Sequence, residues 1–366
     1  VTDNLVPIIL RGGGSVYTGY GNVLIELAIE LDRRLPVGVW LHDVTMGLPR
    51  EFTVILEREI PVGYEIYLEI TSPMQCAGKM TKAFTVLYTM WEQTKFLNNC
   101  HLPEMKSYDL IITPSFLSAE VIKSYLPNAL VEVVPLGIDV NRFRYQKRSL
   151  KGPIKFCTFG YMSKRKGVDI AIDAFREVSS KRNCYLDIHT TGITLPDEWY
   201  EMPKVNIITI PLSRKGVIQW YYDHDVFLAT SRGEGFNLPA VEFLSTGGSV
   251  IGAPFGGHAM WMGKDFCYPV SFVMTKVTKK APWQSEKHMF IDELFLDGTS
   301  EWAEPNLQEI IDSMIRCIDD RDELALKMKN TEIIRKQFNI QKTTSHLLSV
   351  IAKNYKVRKL DDTVKI

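Results

Sequence analysis

Long apolar runs are missing from this chain. No stretch approaches the roughly 20 consecutive apolar residues that a membrane-crossing helix needs. Val1 to Leu10 has no basic segment ahead of its short apolar run, so no secretory leader is expected. An excess of either charge is missing too. Lys+Arg and Asp+Glu stand at 43 each, which argues against a broad nucleic-acid surface. Cysteine is sparse and unpatterned. Cys76, Cys100, Cys157, Cys184, Cys267 and Cys317 form no CxxC pair and have no zinc-ligand spacing. These features together lead us to expect a soluble, cytoplasmic protein with reduced, mostly buried thiols.

What is present is ordinary for a globular enzyme. Of 366 residues, 45% are apolar and 23% charged, enough for two α/β domains. In the first half, Leu5–Leu10 reads as a strand, Arg11–Ser15 as a glycine-rich turn, and Leu24, Leu27, Ala28 and Leu31 as one face of a helix. Val37–Leu41, Phe84–Thr89, Leu110–Thr113 and Val131–Val134 read as further strands, and Ser115 as a helix cap. The polar, basic stretch Asn141–Lys151 is the expected linker. A second series follows, with strands at Ile154–Phe159, Tyr185–His189, Val205–Ile210, Val226–Thr230 and Ser249–Ala253 and an apolar helical face at Val168, Ala171, Ile172, Phe175 and Val178. Strand–helix alternation in both halves predicts parallel sheets, with ligands at the carboxyl ends of the strands. Residues 264–300 break the rhythm and read as a long loop or insertion. Leu307, Ile310, Ile311, Met314 and Ile315 mark a helix, and helices continue to about Lys356.

The chemistry concentrates in Ser231-Arg232-Gly233-Glu234-Gly235-Phe236-Asn237-Leu238-Pro239-Ala240-Val241-Glu242, after a strand and at the start of a helix. Pro239 suits the first helical turn. A helix N-terminus behind a glycine loop attracts anions, so the backbone at Phe236, Asn237 and Leu238 fits a diphosphate. Taken alone, Glu234 and Glu242 read as the solvated glutamates of a capped helix. A second loop, Phe159-Gly160 through Lys164-Arg165-Lys166-Gly167, carries three cations between a strand and a helix; alone, it reads as a solvated face rather than a phosphate site. Gly12-Gly13-Gly14 makes a weak dinucleotide fingerprint, with Asp43 as its distant acidic partner.

The segment from Glu234 to Glu242 resembles the E-x7-E signature of the retaining GT-B glycosyltransferases of family four. The resemblance runs well from about Val131 to Gly257 and more thinly, in the right order, through the first half. It implies a GT-B fold, two Rossmann-like domains facing each other across a cleft, with boundaries expected at 1–145, 146–340 and a C-terminal helix 341–366 returning to the first domain. It implies a metal-independent transferase with no resident cofactor, acting on a GDP- or UDP-linked sugar. Glu234 maps to the donor sugar and reaction centre, and Glu242 to the ribose. Gly235 and the Phe236–Leu238 backbone map to the distal phosphate, and Lys166 and its neighbour Arg165 to the diphosphate. Many members carry Arg after the first glycine of that loop, where this chain has Tyr161. Gly13 and Gly14 would approach the donor.

Tyr88-Thr89-Met90-Trp91-Glu92-Gln93-Thr94 is similar to a segment of a subset of these enzymes. It implies Glu92 at the catalytic cleft; read on its own, Glu92 is as readily a surface or capping residue. His42 is the acceptor-side candidate, or a satisfied structural histidine. His258 lies in a loop that often approaches the donor in this family. Asp223, His224 and Asp225 are read as the segment before the motif strand, not as a metal site. The expected partners are a nucleotide sugar and a glycan or glycoconjugate acceptor, with no nucleic-acid or membrane partner. Alternatives are a sugar-nucleotide epimerase or phosphorylase of the same fold, a non-catalytic nucleotide-sugar-binding protein, and a transferase acting on hydroxylated nucleic-acid bases.

Overall fold

The structure is a computed structural model. It describes residues 6–43, 47–161, 163–190, 195–277 and 298–364, with side chains as far as 358. The chain forms two compact units, one of residues 1–91, 98–139 and 338–366, the other of 92–97 and 140–337. The main division therefore falls at Asp139/Val140, a few residues before the expected 145/146, and the short segment 92–97 joins the second unit.

The first unit runs β1 (Ile8–Gly13), α1 (Gly19–Asp32), β2 (Val37–Asp43), α2 (Arg50–Leu56), β3 (Ile66–Ile70), β4 (Phe84–Tyr88), α3 (Leu102–Lys106), β5 (Leu110–Thr113), α4 (Phe116–Tyr125) and β6 (Val131–Val133). Its six strands form a parallel sheet in the order β2-β1-β3-β4-β5-β6. Helices cover such sheets on both faces, so the strands read as near-continuous apolar runs. The expected helical face is buried at Leu24, Leu27, Ala28 and Leu31. Ser115 caps α4 by accepting from Ser118 N–H.

One strand shifts from its expected place. Leu5 lies outside the described residues, and β1 extends through Arg11–Gly13, which the sequence suggested was turn. Gly12 continues the strand because a Cβ there would meet the Ile70 carbonyl oxygen at 2.7 Å. β3 was not anticipated. Its Glu69 breaks the apolar run yet is fully buried, bonded to Arg11 Nη1 at 2.6 Å and to Tyr108 at 2.5 Å.

The second unit holds β7 (Ile154–Phe159), α5 (Val168–Ser179), β8 (Cys184–His189), α6 (Asp197–Tyr200), β9 (Val205–Ile208), α7 (Arg214–Tyr222), β10 (Val226–Ala229), α8 (Leu238–Ser245), β11 (Ser249–Gly252), β12 (Cys267–Pro269), β13 (Phe272–Lys276), β14 (Glu301–Pro305), α9 (Leu307–Asp319), α10 (Arg321–Asn330) and α11 (Glu332–Gln337). Its parallel sheet has the order β12-β11-β10-β7-β8-β9, and β13 pairs antiparallel with β14. Residues 264–300 are thus not simply loop. They contain a sheet strand and one arm of a hairpin. Residues 278–297, with Lys279 and Lys280, lie outside the described residues, as does Met162. The core joins Phe156, Leu186, Leu228 and Ile251 of the sheet to Phe175, Ile310 and Met314 of α5 and α9.

The last helix, α12 (Ile340–Val364), belongs to the first unit. Arg34 of α1 donates to the Gln341 carbonyl and the Ser345 hydroxyl, and Arg358 pairs with Asp109 at 2.6 Å. Among the described residues no helix is long and apolar enough to cross a membrane.

Candidate active site

The site of the second unit is built on three loops. Between β7 and α5 the backbone makes a single 3-10 turn over Lys164–Lys166, capped by Ser163. Gly167 ends that turn with a φ of +64°, and a Cβ there would strike the Thr230 carbonyl oxygen at 2.0 Å. Only glycine serves both needs. The close approach seats the cationic loop against the segment after β10, where Arg232 N–H donates to the Arg165 carbonyl at 2.7 Å.

That second loop delivers Glu234, which is 5% exposed. Its Oε1 accepts from Lys166 Nζ at 2.6 Å and from the Ser231 hydroxyl at 2.7 Å, and its Oε2 from Arg165 Nη1 at 3.3 Å. Burial pushes this carboxyl up, but Lys166 and Arg165 outweigh it and hold the group at about 2. Burial draws the Lys166 ammonium down, against the pull of Glu234.

The third piece is Glu92, on the segment that joins this unit from the first half of the chain. Gly233 packs so closely on it that a Cβ would meet the Glu92 carbonyl oxygen at 2.1 Å. The Glu92 carboxyl is pushed up by burial, a shift that Arg165 opposes and Glu234 reinforces. The structure therefore brings together Glu92, Arg165, Lys166 and Glu234.

Helix α8 starts at Leu238 with Pro239 in its first turn. Asn237 caps it in the left-handed region, φ +69°, and its side chain accepts from Ala240 N–H. His258 is buried and braces that cap. Its Nδ1 donates to the Ala253 carbonyl at 3.0 Å, which leaves Nε2 to accept from Asn237 Nδ2 at 2.8 Å. Burial lowers its basicity, in keeping with this neutral tautomer. Phe236 is fixed by Trp261, whose indole N–H donates to its carbonyl at 2.7 Å, and Gly257 N–H donates to the Glu234 carbonyl at 2.7 Å. Gly235 is buried within the same turn. The result is a rigid helix N-terminus with the partial positive charge of the helix dipole.

Farther along α8, Glu242 Oε2 accepts the hydroxyl of the buried Tyr221 at 2.9 Å. Tyr221, Ser231, Arg232, Asp169 and Glu304 were not singled out as site residues from sequence. Tyr221, Ser231 and Arg232 bond to site residues, and Asp169 and Glu304 bond to Arg232, so only the fold reveals their part.

In the first unit, Gly14 N–H donates to Asp43 Oδ1 at 2.7 Å, and Gly13 faces the same carboxylate. An anion meeting these glycines would meet Asp43 too. His42 is exposed at the end of β2.

Asp223-His224-Asp225 and Asp320-Arg321-Asp322 both have aspartate–x–aspartate spacing, but their groups have other partners. His224 bonds the Trp220 carbonyl and Asp187, Asp225 accepts from Lys155 N–H, and Asp320 caps α10. Among the described residues no three or more histidine, cysteine or acidic groups converge as a metal site.

Residues 153–270, which hold both loops and α8, match the family model described as glycosyl transferases group 1. A putative glycosyltransferase 45 of the Sulfolobus islandicus filamentous virus is 25% identical over 158 residues, 42% of this chain and 44% of that protein. The match thus spans less than half of that relative. Among solved structures, Anabaena HepE in complex with UDP and glucose superposes with a TM-score of 0.64 at 14% identity, over 94% of this chain and 99% of that one. Sucrose-phosphate synthase from Thermosynechococcus elongatus gives 0.68 at 12% identity, over 96% and 100%. The fold is GT-B, with two parallel-sheet, Rossmann-like domains, and the second domain carries the group 1 glycosyltransferase match.

Proposed function

We propose that the chain is a retaining, metal-independent glycosyltransferase that moves a sugar from a nucleoside diphosphate donor to a hydroxyl of a glycan or glycoconjugate. The observation that carries this reading is the pairing of the half-buried Lys166 and Arg165 with the buried Glu234 beside the N-terminus of α8. As the glycosidic bond breaks, the departing diphosphate gains negative charge. Two cations and a helix N-terminus supply fixed positive potential for it, in a site where little water competes. Glu234, held ionised with a lone pair to spare, orients the donor sugar, and Glu242 holds the ribose hydroxyls. The Phe236–Leu238 backbone and Gly235 receive the distal phosphate. Glu92 acts at the reaction centre, and transfer retains configuration by same-face attack or through a short-lived glycosyl-enzyme.

Gly13 and Gly14 approach the donor in this scheme, and His42 serves the acceptor. No resident cofactor is required. The UDP complexes of HepE favour UDP over GDP as the donor nucleotide. The six cysteines are all buried, which supports a soluble enzyme of the reducing cytoplasm.

A thermal-shift screen with UDP, GDP, ADP and their sugar conjugates, in EDTA, tests the reading. A ligand that binds only the folded state must raise the melting temperature. We expect UDP or UDP-glucose to raise it. Shifts that require added metal would remove the metal-free donor site, and no shift with any nucleotide would remove the donor roles of Lys166 and Glu242.

A further inference from the structure

We propose that Arg232 and Glu304 are positioning residues of this site, and that the β13–β14 hairpin is the frame that seats Glu92 beside Glu234. The inference rests on the glycosyl-transfer reading for its consequence, though not for its geometry.

β14 touches each catalytic segment in turn. At its first residue, Glu301 and Thr94 exchange two bonds: Thr94 N–H donates to the Glu301 carbonyl at 3.1 Å, and Glu301 N–H to Thr94 Oγ1 at 2.9 Å. Thr94 lies two residues beyond Glu92. In mid-strand, Ala303 N–H donates to the Arg232 carbonyl at 2.9 Å. One residue on, the Glu304 carboxylate accepts from Arg232 Nε at 2.5 Å and Nη2 at 2.7 Å. On its other side the guanidinium gives Nη1 and Nη2 to Asp169 of α5 at 2.9 and 2.7 Å, and Nη1 to the Lys164 carbonyl at 2.5 Å.

All five donors of Arg232 are thereby committed, on a residue 3% exposed. This one side chain ties the cationic loop, the Glu234 loop and β14 together, while the far end of β14 holds the Glu92 segment. Lysine cannot reproduce two forked contacts at once. Because misplacing a reacting group by about 1 Å can cost about 10²-fold in rate, a frame that fixes Glu92 against Glu234 acts on turnover more than on donor affinity.

The test uses Glu304→Ala and Thr94→Val, with Thr94→Ser as the conservative rescue. Three properties are followed: UDP affinity by calorimetry, slow hydrolysis of UDP-glucose to UDP and glucose with water as acceptor, and amide exchange at Thr94, Glu301 and Ala303. In both disrupting variants we expect kcat to fall at least about tenfold, UDP affinity to stay within about threefold, and exchange to quicken at Glu301 or Ala303. Thr94→Ser should behave as wild type. Folded variants with unchanged kcat would overturn the positioning role, as would an equal loss of affinity and turnover. If wild type neither binds UDP nor hydrolyses UDP-glucose, the glycosyl-transfer reading fails. The exchange data then judge the frame alone, and unchanged protection would overturn it.

Discussion

Lys166 Nζ stands 2.6 Å from Glu234 Oε1, on a carboxylate that also takes Arg165 and Ser231. Burial works against the charge of Glu234, but the two cations prevail and depress its carboxyl from 4.5 to about 2. A depressed carboxyl contributes stability that is fully present above its unfolded value and lost as pH falls through the folded one. In Lys166→Ala the longer Arg165 contact is the one cationic bond left, beside the neutral Ser231 hydroxyl, so the Glu234 carboxyl should climb. The loss of stability as pH falls from 4.5 to about 2 should then be smaller than in wild type, because the folded and unfolded values of Glu234 lie closer together. Turnover should fall by about 10²-fold or more, the scale of losing one preorganised charge partner in a transition state. Melts across the acid range together with donor hydrolysis check both parts. An acid loss equal to that of wild type would mean that Arg165 and Ser231 suffice to hold Glu234.

Glu92 behaves in the opposite sense. Burial raises its carboxyl, with Arg165 opposing and Glu234 adding to the rise. A carboxyl raised in the folded state favours folding at low pH, and that contribution is lost as pH rises through the folded value. Where Glu92 is ionised, its burial therefore costs the fold stability. Glu92→Gln should stabilise the protein at neutral pH by on the order of 1 kcal/mol, roughly 2–4 °C in Tm. The same change should lower turnover at least about tenfold. A variant that is less stable yet fully active would show that Glu92 is a structural partner and not a catalytic one.

These groups were legible in sequence to very different degrees. Glu234, Lys166 and Pro239 stand in local patterns whose spacing alone signals a loop feeding a helix N-terminus, and the fold places them there. Glu69 shows why β3 was missed. A charge inside a short apolar run argues against a buried strand, and only Arg11 and Tyr108, remote in sequence, make it tolerable. Arg232 was quoted within the main motif but given no role, because its partners Asp169 and Glu304 lie 63 and 72 residues away. The hairpin was hidden for another reason. Its arms, β13 and β14, are separated by a long stretch of mixed charged and aromatic residues, so neither looks like half of a pair.

Tyr221 and Glu242 illustrate the same limit within the proposed donor site. The tyrosine is fully buried, and its hydroxyl donates to Glu242 Oε2 at 2.9 Å. A hydrogen bond to a charged group is worth about 1.5–3 kcal/mol, enough to hold the carboxylate in one rotamer for the ribose. Tyr221→Phe should weaken UDP binding roughly tenfold while leaving kcat at saturating donor near wild type, and Glu242→Ala should weaken it further. Calorimetric titration with UDP separates the outcomes. If Tyr221→Phe binds UDP normally, the hydroxyl only satisfies the core. If Glu242→Ala binds normally as well, Glu242 does not hold the ribose.

Arg148 lies in the stretch read as a linker, yet it is docked. Its guanidinium gives Nε to the His224 carbonyl at 3.0 Å, Nη2 to the Tyr221 carbonyl at 2.9 Å, and Nη1 to the carbonyls of Gln146 and Thr246 at 3.1 and 3.0 Å. Nη2 also reaches the Thr246 hydroxyl at 2.9 Å. The His224, Tyr221 and Thr246 carbonyls lie at the ends of α7 and α8, whose last turns lack helical partners, and a cation there complements both helix dipoles. Phe243 and Tyr222 present ring faces to it. Arg148→Met keeps much of the stem and removes every donor. It should cost about 2–3 kcal/mol, lowering Tm by roughly 4–12 °C. Because α7 carries Tyr221 and α8 carries Glu242, loosening their ends should also weaken UDP binding while leaving the Lys166–Glu234 pair intact. A Tm within about 2 °C of wild type, read by calorimetry, would mean that water replaces the guanidinium at these helix ends and that Arg148 does not anchor them.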